Sequence, residues 1–172
     1  MGKISTKPNK TVYQLEREKL HLTRAEAADK MSDYGMTEHR LVRIEDGTSN
    51  IEPEDVYAMS KGYNAPHLCN HYCSNDCRIG KEYVPEIKVK ELSGIVLEML
   101  ASLNSVKNRQ EKLIEITADG VIDDSELYDF VGIQNELERI SVTVETLQLW
   151  VEKMIAEGKI NMKKYKEIKD NQ

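Results

Sequence analysis

All four prolines, Pro8, Pro53, Pro66 and Pro85, precede residue 86, and none follows in the rest of the 172-residue chain. Proline lacks the backbone donor that a helix needs and clashes with the preceding turn, so the proline-free half is able to form long helices. Two apolar patterns occupy it. The first runs Leu92, Val96, Met99, Leu103, Val106, Gln110, Leu113, Thr117, and the second Phe130, Ile133, Leu137, Ile140, Val144, Leu147, Val151, Met154. Their intervals alternate three and four, the signature of coiled-coil packing. Between them, Gly120 can end one helix and Asp123 or Asp124 can cap the next, with Glu126 in its first turn. Asp119, Asp123, Asp124 and Glu126 lack the full calcium-loop pattern and read as caps. The segment 86–158 is therefore expected to form an antiparallel helical hairpin, each arm about 30 residues and roughly 45 Å long. The wider apolar set, including Ile95, Leu100, Ile114 and Trp150, leaves surface for a second copy, so a homodimer through 86–158 is expected. Lys159, Lys163, Lys164, Lys166 and Lys169 make residues 159–172 a basic tail.

The first half reads as short helices. One spans 12–20, with Val12, Leu15 and either Lys19 or Leu20 at helical spacing. Thr23 followed by Glu26 forms a capping box that opens a second helix, which runs to about Met31 with Ala27 and Ala28 inward. Thr37 is the cap of a third, with Leu41 and Ile44 inward, and Gly47 stands where a helix can stop. Pro53 suits the first turn of a fourth, which carries Val56, Met59 and Tyr63. No window alternates polar with β-branched or aromatic residues, so the chain is expected to be all-α: a small helix-turn-helix bundle over 11–66, a Cys-rich joint over 67–85, then the hairpin and tail.

The stretch 17–47, with its L-H-L-T-R-A-E-A-A opening and R-I-E-D-G close, resembles the helix-turn-helix of XRE-family transcriptional regulators, the phage repressor and Cro class. The likeness extends weakly to Pro66 and covers about a third of the chain. Ser32, Asp33 and Tyr34 depart from it as three extra residues in the turn, which either change the interhelical angle or lengthen the second helix. The resemblance implies double-stranded DNA as partner, with the third helix in the major groove. Thr37, Glu38, His39, Arg40 and Arg43 would then face bases, with Arg40 and Arg43 donating to guanine. Thr23, Arg24, Thr48, Ser49 and Asn50 would contact phosphate, which positions without specifying.

Charge tempers this expectation. Residues 1–65 hold 10 basic and 11 acidic side chains, and the whole chain has a net charge of −6. That excludes a general basic nucleic-acid coater. Arg24, Arg40, Arg43 and the arm lysines Lys3, Lys7 and Lys10 could form only a local basic face.

The three cysteines, Cys69, Cys73 and Cys77, stand four apart, with His67 and His71 among them. On a straight helix the outer two are about 12 Å apart by rise, too far for one ion. No metal and no cofactor is the first expectation, with Cys69, Cys73 and Cys77 as metal ligands only in an alternative where a thiol or metal controls the protein. No Gly-rich phosphate loop, G-x-S-x-G elbow or H-E-x-x-H occurs, so catalysis is not expected. No apolar run approaches the roughly 18 residues of a membrane span, and the opening residues lack the apolar core of a signal peptide, so a cytoplasmic protein is expected. The competing functional reading is a helical interaction adaptor whose helix-turn-helix does not bind DNA.

Overall fold

Three threonines set the starts of the first three helices. Each has extended backbone, and each side-chain oxygen accepts a hydrogen bond from the amide three residues on: Thr11 before α1 (Val12–Lys19), Thr23 before α2 (Arg24–Lys30) and Thr37 before α3 (Glu38–Glu45). At Thr23 the box is complete, because the Glu26 carboxylate accepts from the Thr23 amide at 2.7 Å. These elements belong to a computed structural model that describes residues 9–116, 118 and 120–171. Lys3, Lys7, Thr117 and Asp119 lie outside the described residues.

Helix α3 stops in a Schellman turn. Gly47, at φ +72°, donates to Ile44 O, and Thr48 donates to Arg43 O. The next helix, α4 (Pro53–Gly62), has Pro at its first position, and the Asp55 carboxylate accepts from the Glu52 amide. Then come α5 (His67–Asn75) and the single turn α6 (Gly80–Tyr83). The core of this part is Met31, Met36, Leu41, Ile44, Val56, Met59, Tyr63 and Leu68, all buried. Removing such side chains from water stabilises by about 1.5–3 kcal/mol apiece.

The second half of the chain is helical too. Helix α7 (Leu92–Asn108) is followed by α8 (Gln110–Ile116), then α9 (Leu127–Ala156) and α10 (Met162–Asp170). Every element among the described residues is helical, so the all-α expectation holds. No helix of the described residues is long and apolar enough to cross a membrane.

The chain divides into two compact units. One runs to Glu86 and takes up the chain again from Val151; the other is Ile87–Trp150. The boundary expected at residue 66 therefore moves. Leu68 of α5 is fully buried in the same core as α4, which makes the Cys-rich stretch part of the first unit and not a joint beside it. The basic tail contains a helix, capped by the Asn161 side chain on the Lys164 amide at 3.1 Å.

Several finer expectations need correcting. In α1 the inward side carries Tyr13, Gln14, Arg17 and Glu18, while Leu15 and Leu20 are exposed. Polar anchoring reverses the face: Tyr13 donates to Asp76 at 2.8 Å and Gln14 to Glu18 at 2.9 Å. The three residues Ser32–Tyr34 do not lengthen α2 but form a separate 3₁₀ turn. The first arm of the hairpin is broken at Arg109, whose guanidinium fills the space beside Gly132 that a larger residue's Cβ would occupy. The apolar stripe assigned to α7 also faces out in part. Ile95 and Ser102 are buried, while Leu92, Val96 and Leu103 are exposed. In α9 Ile133, Thr143, Thr146 and Leu149 are buried, and Leu137 and Val144 are exposed.

Candidate nucleic-acid interface

The α2–turn–α3 segment is held by charges as well as by apolar burial. Glu45, at the end of α3, has a fully buried side chain that accepts from Arg17 of α1 at 2.6 and 2.8 Å. It also accepts from Arg24 of α2 at 2.8 Å. Arg17 spends a further donor on Leu22 O, at 2.6 Å. Its hydrogen bonds to Glu45 hold the Arg17 guanidinium above its ordinary pKa, against the opposing effect of burial. One carboxylate thus joins three helices, with charge-assisted bonds of the stronger kind.

Arg24, a proposed phosphate contact, is anchored inside the fold. Besides Glu45 it donates to Asp46 at 2.9 Å. Arg40, a proposed base reader, is anchored still more fully. Its Nε donates to Asp55 at 3.0 Å, one terminal nitrogen donates to Ser49 Oγ at 2.6 Å, and the other donates to Asn50 O at 2.9 Å and to Asp55 at 2.5 Å. The hydrogen bonds to Asp55 raise its pKa. Four of the five donors of a guanidinium are then engaged. Arg40 clamps the loop after α3 onto the start of α4. Ser49 accepts from it, so that hydroxyl oxygen serves the clamp as well.

The outward face of α3 holds the rest. Glu38, His39 and Arg43 are exposed. No acceptor among the described residues engages the Arg43 guanidinium, because the neighbouring Glu45 and Asp46 are turned to Arg17 and Arg24. Thr23 and Thr37 spend their side-chain oxygens on caps. Asn50 is exposed.

Helix α5 carries Cys69 and Cys73, and Cys77 follows its end; all three thiols are free and half-buried. Burial, then the neighbouring Cys77 and Cys69, push the Cys73 thiol up, so it stays protonated near neutral pH. Among the described residues no group of three His, Cys, Asp or Glu side chains is arranged to hold a metal ion.

No known protein family, curated protein or solved structure matches this chain. The reading of this face rests on the residues themselves.

Three residues that hold α3 and its loop in place were not singled out from the sequence: Arg17, Glu45 and Asp55. Glu45 alone carried a usable signal: it stands four residues after Leu41, on the side of α3 expected to face inward.

Proposed function

We propose that this chain is a cytoplasmic, sequence-specific DNA-binding transcriptional regulator that works as a dimer. The observation that carries the reading is the contrast between the two sides of α3. Leu41, Ile44 and Glu45 lock one side into the bundle, while Glu38, His39 and Arg43 are exposed on the other. A short, rigidly seated helix with an unengaged arginine suits insertion into a major groove. Arg43 then donates two bonds to guanine O6 and N7, and Glu38 accepts from cytosine N4. Thr23, Thr37 and Asn50 lie at element ends suited to phosphate contact. Arg24 and Arg40 act by fixing the helix and its loop, so base reading concentrates on Arg43.

A single short reader binds weakly, and the second unit supplies a reason to pair. Helix α7 exposes Leu92, Val96, Leu100 and Leu103 along one side. Burying that side against a second copy would present two readers to two half-sites about 34 Å apart.

The test is selection of binding sites from a random DNA pool by the purified chain, followed by a salt titration of the winners. An enriched two-fold symmetric site, with affinity falling as salt rises, is expected. Arg43→Ala is expected to melt like the parent chain and to lose about 5- to 150-fold in preference, the equivalent of roughly 1–3 kcal/mol. No enrichment at low salt would favour the adaptor reading. That reading draws on one observation: the charges of Arg24 and Arg40 are already neutralised by Glu45, Asp46 and Asp55.

A further inference from the structure

A second feature of the first unit is unconnected with the outward face of α3. An open groove of about 710 Å³ lies between the 3₁₀ turn Ser32–Tyr34, the start of α4 and the Cys-bearing end of α5. That volume falls within the roughly 300–1,000 Å³ typical of small-molecule sites. Its lining is mostly apolar, with Val56 and Pro53 contributing, and the thiols of Cys69, Cys73 and Cys77 form one soft, polarisable wall.

Three tyrosines, Tyr34, Tyr57 and Tyr72, line it as well. Tyr34 and Tyr57 meet edge to face, 5.8 Å between ring centres at 80°. Both remain about half exposed, at 45% and 52%, so neither serves mainly to fill the core. The charged groups lining the groove are of one sign. Asp33 and Glu54 line it, and no Lys, Arg or His does. Neither carboxylate is paired with a cation among the described residues.

The chemistry separates the ligand classes. An anion meets two carboxylates in the lining, while the Lys61 ammonium stands outside the lining, over the Tyr57 ring. A neutral apolar molecule gains burial alone. A flat organic cation gains burial, attraction to the electron-rich tyrosine faces and attraction to Asp33 and Glu54. The fold already uses one of these rings in this way: the Lys61 ammonium stands 5.2 Å from the Tyr57 ring centre. We infer that the groove is a binding site for small, planar, lipophilic organic cations, with Tyr57 and Tyr34 as the aromatic platform and Asp33 and Glu54 as the charge selector. This site is independent of DNA reading, and either assignment can fail without the other.

The experiment is fluorescence polarisation on the full chain, with rhodamine 6G as cationic probe and fluorescein as anionic control. Saturable binding of one rhodamine 6G per chain is expected, with no saturable binding of fluorescein. Tyr57→Ala and the double variant Asp33→Asn/Glu54→Gln are each expected to weaken rhodamine 6G binding about tenfold. Asp33 and Glu54 are exposed, so the double variant keeps the test intact even if Tyr57→Ala folds poorly. Bound rhodamine 6G is also expected to slow iodoacetamide labelling of the cysteines. Absence of saturable rhodamine 6G binding, equal binding of fluorescein, or rhodamine 6G binding unchanged in the double variant would each overturn the assignment.

Discussion

The two units bury different things. The first encloses Met31, Leu41, Met59 and Leu68 and seals them with the Arg17–Glu45–Arg24 cluster. The second, Ile87–Trp150, hides Ile95, Ile116, Ile133 and Leu149 beside Ser102, Thr143 and Thr146, and leaves Leu97, Leu100, Leu103 and Ile114 in water. The two threonines can be buried there because their hydroxyls are satisfied locally. Thr143 donates to Arg139 O at 2.8 Å and Thr146 to Val142 O at 2.6 Å, each one turn back along its own helix. The difference teaches that helical apolar content is no measure of a finished core. The half of the chain with the stronger repeat has the less complete interior.

The comparison can be tested at four points. Glu45→Ala removes one partner from a buried pair and leaves Arg17 charged, buried and unmatched, so a loss of about 3–5 kcal/mol is expected in urea unfolding. A loss below 1 kcal/mol would mean that the cluster adds little to the first unit. Leu68→Ala comes next. It cuts a fully buried side chain from the shared core of α4 and α5, and a loss of about 2–5 kcal/mol is expected. A near-neutral result would return the Cys-rich stretch to the status of a joint.

Thr23→Ala is expected to cost about 1 kcal/mol by removing the cap of α2. The same cap gives the first unit a pH dependence. Hydrogen bonds from the Thr23 amide and hydroxyl hold the Glu26 carboxyl below its ordinary 4.5. A depressed folded pKa means stability that is present above 4.5 and lost as pH falls through the lowered value. Acid titration of the parent chain and of Glu26→Gln should therefore converge as the pH drops below 4.5. The smallest effect on folding is expected in the second unit. Leu97→Gln with Leu100→Gln should change unfolding free energy by less than about 0.5 kcal/mol per site, because both side chains are already in water. Sedimentation should nonetheless show weaker self-association if α7 is the pairing surface.

The caps were legible in the sequence because a threonine's preference to accept from the amide three residues on is local chemistry. Thr23, Thr37, Gly47 and Pro53 all stand where that chemistry put them. What escaped were properties that depend on a partner element. The inward side of α1 was misassigned because Gln14 and Arg17 look like surface residues until Glu18 and Glu45 are placed opposite them. The stripe on α7 was misassigned because apolar residues cover more than half its circumference, so several faces fit a three-four spacing. Choosing the bulkiest set passed over Ser102, which is buried, in favour of Leu103, which is not. Arg40 shows the same limit at the candidate site. Its position on α3 was readable, but its engagement by Asp55, fifteen residues on, was not.

The first unit is discontinuous in sequence, and that has a consequence during synthesis. Glu152, Ile155, Ala156 and Met162 share a cavity with Ser60, Lys61, Asn64 and Pro66. A ribosome adding about 5–20 residues per second needs roughly 3–13 s to pass from Glu86 to Val151. For that interval the bundle waits with one side unfinished, and whatever covers Pro66 in a nascent chain is not yet the end of α9 and the start of α10.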